Sequence, residues 1–297
     1  MFSAPNIDKK IEAGNNLLIE GNFRKACEIF NALFSDHPND FRVYLGLARS
    51  YHMYCQSNSF SNPGCSQRAK DYYSKAIELS ERRDAFSFAS YGFFCLDINE
   101  LKDAEHHLYW ALAYIPGNYG MSLGLGITYL RQGRYCEALT VFNTMLKAAD
   151  SLTKKDRCDL YVNLGATYFY LSEILCFIPA RDRYLSFARS YVESAVALNP
   201  QNADANLHCG IVRNTCRFFQ GAEYSLRAAI QAKTSYPCLA NAGLADVFWK
   251  LGNTPAAKQH LNIAKTNKPE NQRVADYLSN LEQLMQSSQQ SSVPIKN

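Results

Sequence analysis

The stretch LGITYLRQGRYCEALTVF, residues 125–142, decides the fold. Its fixed points are Leu125, Gly126, Tyr129, Gly133, Tyr135, Ala138 and Phe142, small residues set against bulky ones. The second part, GRYCEALTVF at 133–142, rewrites GNFRKACEIF at 21–30. Both open on Gly, place an aromatic two residues on, an Ala five on and a Phe nine on. A phrase written twice in one chain marks a repeat.

The alanine and a bulky residue four places later recur as Ala26/Phe30, Ala69/Tyr73, Ala104/Leu108, Ala138/Phe142, Ala188/Val192, Ala222/Leu226 and Ala257/Leu261. Twelve residues before most of these alanines stands Gly14, Gly92, Gly126, Gly210 or Ala245; Ala48 and Gly165 lie farther upstream. A proline often follows twelve residues after, at Pro38, Pro116, Pro200 and Pro269.

This arrangement resembles the tetratricopeptide-repeat family, whose pattern runs Trp-x2-Leu-Gly-x2-Tyr, then Ala-x3-Phe, then Pro. The opening Trp is absent; Tyr44, Phe88 and Tyr161 come nearest, and Arg213 stands where Tyr is usual. The resemblance implies an all-α fold, a right-handed superhelical solenoid of about seven helix-turn-helix repeats. They fall near 7–40, 41–84, 85–118, 119–157, 158–202, 203–237 and 238–271, within an array spanning 7–271. QRVADYLSNLEQLMQ at 272–286 reads as a capping helix, with Val274, Leu278 and Leu281 on one face. Residues 1–6 form a lead, and the polar 287–297 a disordered tail.

The physics of the phrase is close approach. Helices sit ~8–10 Å apart, and small residues such as Gly126 and Ala138 let a pair close while Tyr129 and Phe142 fill the space beside them. Proline cannot continue a helix and turns the chain into the next repeat. One hairpin cannot bury its apolar faces alone, whereas stacked neighbours can.

Two repeats depart from the pattern. HMYCQSNSFSNPGCSQR at 52–68 separates Tyr51 from Ala69, and its Ser, Asn, Pro and Gly content predicts a loop. FYLSEILCFIPARDRYLSF at 169–187 keeps helical spacing through Leu171, Ile174, Leu175 and Ile178 up to Pro179, then resumes with Tyr184 and Phe187. It predicts an elongated helical hairpin projecting from the stack. Both inserts are candidates for partner contact. SLTKKDR at 151–157 reads as a turn, with a hinge as the alternative.

In this family the first helix of each repeat lines the concave side. Carried over by position, the candidate groove comprises Leu45, Arg49, Phe86, Phe93, Leu123, Ile127, Leu130, Arg131, Val162, Asn163, Phe169, Leu207, Ile211 and Trp249, with Ala89, His208, Asn214 and Asp246 beside them. Its centre is apolar, the mark of a binding patch. The alternative is a stack that buries these side chains against itself or its C-terminal helix. The family's clamp for acidic chaperone tails needs Lys, Asn and Arg; Ile11, Asn15, Gly46, Phe86 and Ser90 stand there instead.

With 297 residues, 47% hydrophobic and 13% aromatic, the chain can bury a sizeable core. Its net charge of +4, from 31 basic and 27 acidic residues, is too mild for a nucleic-acid footprint. MFSAPNIDKKIEAGNN lacks the charged start and apolar core of a secretory signal, and no run approaches a membrane span. Ten scattered cysteines without CxxC pairs predict reduced thiols and a cytoplasmic setting.

No cofactor, metal or catalytic residue is expected. Gly124 and Gly126 fall on a helix, outside the strand-turn-helix setting of a phosphate loop. His52, Cys55 and Cys65 lack a fourth metal ligand, and His106 and His107 point to different faces. The leading expectation is a non-enzymatic scaffold or chaperone-like adaptor holding an apolar or amphipathic segment of a partner protein. The alternative, a nucleic-acid-binding helical repeat, needs recurrent cations; Arg49, Arg131 and Lys250 are sparse.

Overall fold

The structure, a computed structural model, describes residues 7–58, 60–175 and 178–290. Among them are fifteen α-helices, one 3-10 turn at Ala149–Ser151, and no strand. Two compact bodies divide at Val141/Phe142. The N-terminal body holds α1 (Ile7–Ile19), α2 (Phe23–Asp36), α3 (Phe41–Ser57), α4 (Pro63–Leu79), α5 (Ala85–Asp97), α6 (Leu101–Tyr114) and α7 (Tyr119–Arg131). The boundary falls inside α8 (Tyr135–Leu146). The C-terminal body continues with α9 (Lys154–Ile174), α10 (Ile178–Leu198), α11 (Ala203–Thr215), α12 (Phe219–Gln231), α13 (Pro237–Lys250), α14 (Thr254–Thr266) and α15 (Gln272–Gln290).

Short polar residues start several of the odd-numbered helices. Asp40 accepts from the Arg42 backbone N–H, Asp84 from that of Ser87, Asn118 from that of Met121 and Asn202 from that of Ala205. Each such cap contributes about 1 kcal/mol. Between the two helices of a pair the chain makes one recurring turn. A residue with positive φ follows the first helix: Gly21, Asn99, Gly133, Arg217 and Gly252. The next backbone N–H then reaches back to the carbonyl five residues earlier, as in Asn22 to Leu17, Glu100 to Cys95, Arg134 to Tyr129, Phe218 to Arg213 and Asn253 to Phe248, at 2.7–2.9 Å. Glycine takes that backbone shape without strain, which explains the Gly of GRY and GNF.

The pairs close on glycine. The Phe30 ring is fully buried, and a Cβ added to Gly14 or Gly46 would lie 2.6 or 2.3 Å from it. Leu226 lodges in the same way between Gly210 and Gly243, and Leu108 between Gly92 and Gly124. The bulky residue of the phrase therefore packs on the small residue of its own first helix and on a second glycine, two places earlier in the register, on the next one. That second series, Gly46, Gly124 and Gly243, accounts for the paired glycines of GLG.

The inserts refine the sequence expectation. Residues 52–68 are mostly helix: α3 runs to Ser57, α4 starts at Pro63, and Asn62 accepts from the Cys65 backbone N–H. Proline at the first turn of α4 opens that helix rather than breaking it. Cys55 and Cys65, both buried, face each other across this hairpin with Cα atoms 6.2 Å apart and are joined in a disulfide. The expectation of thiols is corrected at this pair; the helical extension, invisible in composition, brings them together.

The described part of residues 169–187 belongs to two paired helices, α9 to Ile174 and α10 from Ile178, and Pro179 sits in the first turn of α10 rather than ending a helix. Tyr168 of α9 stacks on Tyr184 and Tyr191 of α10, and the terminal Ile174 and Ile178 are exposed. Ser59, Cys176 and Phe177 of the two inserts lie outside the described residues. In the segment at 151–157 the turn is confined to its first residues: Ser151 ends the 3-10 turn, and Thr153 caps α9 by accepting from the Asp156 backbone N–H. At the C-terminus the helix extends past 286 to Gln290, since no Gly or Pro interrupts it; the lead 1–6 and tail residues 291–297 lie outside the described residues. No described helix is long and apolar enough to cross a membrane.

His107 on α6 supplies a pH test. It stacks on Tyr91 at 4.2 Å, and its buried Nδ1 has no hydrogen-bond partner among the described residues. Burial first, then the neighbouring His106, pushes its pKa down from 6.5 to about 4. The unfolded chain therefore takes up the proton first, and the stability contributed by the neutral ring is lost as pH falls from 6.5 towards 4. Allowing for solvent reaching the ring, the expected loss is about 1–2 kcal/mol. Urea unfolding at pH 7 and pH 4.5 measures it, and His107→Phe should flatten that part of the slope.

Candidate functional site

The candidate groove residues divide into three kinds. Leu207 and Val162 are buried, Leu207 in a cluster with Ala240 and Leu244, Val162 with Cys158, Ala195 and Ala205. They do not line an open groove, because the next first helix closes over them. Ala89 is likewise buried.

A second group ties neighbouring first helices together. Arg49 donates to Asn15 Oδ1 at 3.1 Å, and Arg131 Nη1 to the Leu96 carbonyl at 3.0 Å, capping the end of α5. The Phe93 ring packs so closely on α7 that a Cβ on Gly124 would sit 2.6 Å from it. Ile127 packs against Cys95, Leu96 and Ala104, and Leu45 against Ala48, Ala69, Tyr73 and Phe94. Asn163 donates to the Asp159 carbonyl within its own helix. Beside these, His52 bridges Asp97 Oδ2 at 2.9 Å and the Tyr73 hydroxyl at 3.2 Å. Tyr73 is fully buried, and burial pushes its hydroxyl pKa up. That set joins α3 and α4 to α5.

The third group stays accessible in the N-terminal body. Phe86, in the first turn of α5, is 58% exposed, and Leu123 and Leu130 on α7 are half-buried. Sequence reasoning missed an exposed aromatic strip on α6, where Tyr109, Trp110 and Tyr114 reach solvent. The signal was in EHHLYWALAY at 105–114, three aromatics on a helix whose buried positions are already taken by Ala104, Leu108 and Ala111.

In the C-terminal body α15 packs on α13 and reaches α9, on the side of the first helices. Phe169, Ile211 and Trp249 are half-buried, and Ile211 and Trp249 pack on the cluster that contains Val274, Leu278, Leu281 and Met285. Asp246 accepts from Asn214 Nδ2 at 2.7 Å, Lys250 Nζ at 2.7 Å and the Tyr277 hydroxyl at 3.1 Å. Burial, reinforced by Asp246, pushes the Tyr277 pKa far up. Arg273 lies 4.0 Å over the Tyr170 ring of α9. His208 is half-buried, and loss of solvent around the ring pushes its pKa down. In this body the C-terminal helix, weighed from sequence as the alternative occupant, packs against Ile211 and Trp249, which stay partly exposed.

The tetratricopeptide-repeat family model matches residues 96–152. No curated protein matches the chain. Among solved structures it is similar to a tetratricopeptide-repeat protein of Parabacteroides merdae ATCC 43184, at 10% identity over 93% of this chain and 98% of that one, with a TM-score of 0.66. A thermophilic TPR protein of Thermus thermophilus is 20% identical over 67% of this chain and 98% of that one, with a TM-score of 0.56. The human IFIT1 dimer with m7Gppp-AAAA is 16% identical over 95% of this chain, which spans 64% of that one, at a TM-score of 0.65. The recurring turn, the glycine-seated bulky residues and these matches agree: the chain has the tetratricopeptide-repeat fold, and its residues 96–152 match the repeat itself.

Proposed function

We propose that the chain is a protein-interaction scaffold, acting by binding rather than catalysis, whose N-terminal body holds an apolar or amphipathic segment of a partner protein. The observation that carries this reading is Phe86, a large aromatic 58% exposed on a first helix, with Leu123 and Leu130 partly open on α7. Such side chains on a rigid stack cost little ordering entropy when a segment docks. A chaperone-like adaptor fits the same surface.

The nucleic-acid alternative gains no support from the cations of this face, since Arg49 and Arg131 are engaged by Asn15 and the Leu96 carbonyl. The RNA in the IFIT1 complex is a property of that protein at 16% identity. Salt-titrated binding of single-stranded RNA tests it directly.

Phe86→Asp with Leu123→Ser is the informative variant, because Phe93 and Ile127 are built into the stack and their loss would disturb folding. Pull-down from native lysate should lose its partner at least tenfold, with the helical circular-dichroism signal unchanged. Full capture by a folded double variant rejects this face as the binding surface.

A further inference from the structure

Helix α15 does more than shield the end of the stack. Arg273 stacks on Tyr170 of α9, a helix separated from α15 by two whole helix pairs in the chain. Four residues on, Tyr277 bonds to Asp246 of α13, and Val274, Leu278, Leu281 and Met285 make one buried apolar stripe. One amphipathic helix thus presents a cation, a phenol and a row of apolar side chains to a face that offers an aromatic ring, a carboxylate and an apolar floor.

The polar part of that face does not depend on α15. Asp246 accepts from Asn214 and Lys250 as well as from Tyr277, so without Tyr277 it would still have two donors and no buried carboxylate would be stranded. The tether is anchored separately, because Glu270 accepts from the backbone N–H groups of Cys238 and Leu239 at 2.8 and 3.4 Å. The contact that anchors the segment before α15 to the start of α13 is thus separate from the contacts of α15 itself. A tethered occupant competes at high effective concentration, so a free helix gains the face only when the tethered one is weakened or outmatched.

We propose that α15 is a displaceable, tethered ligand of the first-helix side of the C-terminal body, which takes in exchange a partner protein's amphipathic helix bearing a basic residue and, four residues on, an aromatic hydroxyl. This goes beyond the reading of the N-terminal body and does not rest on Phe86.

The probe is a fluorescein-labelled peptide of residues 271–290, titrated by anisotropy against the full chain. Arg273→Ala with Tyr277→Phe should bind it at least tenfold more tightly than wild type. Adding Asp246→Ala should reverse that gain. Equal affinity for wild type and the double variant, or no binding to either at micromolar concentration, overturns the proposal. Light scattering should find the double variant monomeric; a dimer exchanging α15 between copies overturns a separate partner. Should the double variant fail to fold, hydrogen exchange on wild type decides. The α15 amides are expected to exchange at least tenfold faster than those of α13, and exchange of both helices as one unit rejects a displaceable helix.

Discussion

Replacing Phe30 with alanine should destabilise the N-terminal body by about 3–5 kcal/mol, the upper range for a deleted core aromatic. The ring is fully buried, and its closest approaches on α1 and α3 are to Gly14 and Gly46. Neither has a side chain that can swing into the space, so the cavity cannot collapse without moving α1 or α3. Gly46→Ala alone should also destabilise, because its Cβ would meet the ring at 2.3 Å. Combined with Phe30→Ala, the same change should stabilise by about 1–2 kcal/mol relative to Phe30→Ala, since it refills the cavity and replaces a helical glycine. That reversal of sign is the diagnostic result. Residue-resolved hydrogen exchange over α1–α3 is the right measurement, because a repeat stack need not unfold in one step. Additive effects of the two substitutions would show that the ring is not seated between these glycines.

Gly210→Val should cost the C-terminal body about 3 kcal/mol, at the top of the range for overpacking. The added Cβ would lie 2.6 Å from Leu226 Cγ and 3.1 Å from the Leu226 backbone N. A side chain can rotate away; a backbone nitrogen inside α12 cannot, so α11 and α12 must part. Gly243 faces the same Leu226 from the other side, but only through side-chain atoms at 3.1 Å and beyond. Gly243→Ala should therefore change stability by less than about 1 kcal/mol, the gain in helix propensity offsetting a small shift of the leucine. Thermal unfolding of the two variants tests the contrast, and equal losses would refute it.

The difference between these glycines was only half legible in sequence. The twelve-residue interval from Gly14 to Ala26 or Gly210 to Ala222 announced one small position per helix pair. The second, at Gly46, Gly124 and Gly243, has no interval of its own within a repeat, and its partners Phe30, Leu108 and Leu226 are fixed only by the packing. A spacing within one repeat is written in the local sequence. A contact with the next repeat depends on how tightly the two stack.

The candidate groove shows the same limit. Position in the repeat placed Leu207 and Phe86 on the same kind of helix face, yet one is buried and the other 58% exposed. Periodicity gives the direction of a side chain but not what stands opposite it. The cysteines repeat the lesson: Cys55 and Cys65 are ten residues apart, and only the extension of α3 and α4 as a hairpin makes them neighbours.

By itself the sequence determined most of the helices and their pairing, though not the helical ends of the 52–68 insert, because most of the signals are local: a cap, a turn glycine, a small residue twelve places from an alanine. The tertiary structure alone decided which first-helix side chains remain open. The helix carrying Arg273 and Tyr277 covers one face by contacts with Tyr170 and Asp246, residues far away in the chain, and no local pattern encodes where a terminal helix comes to rest.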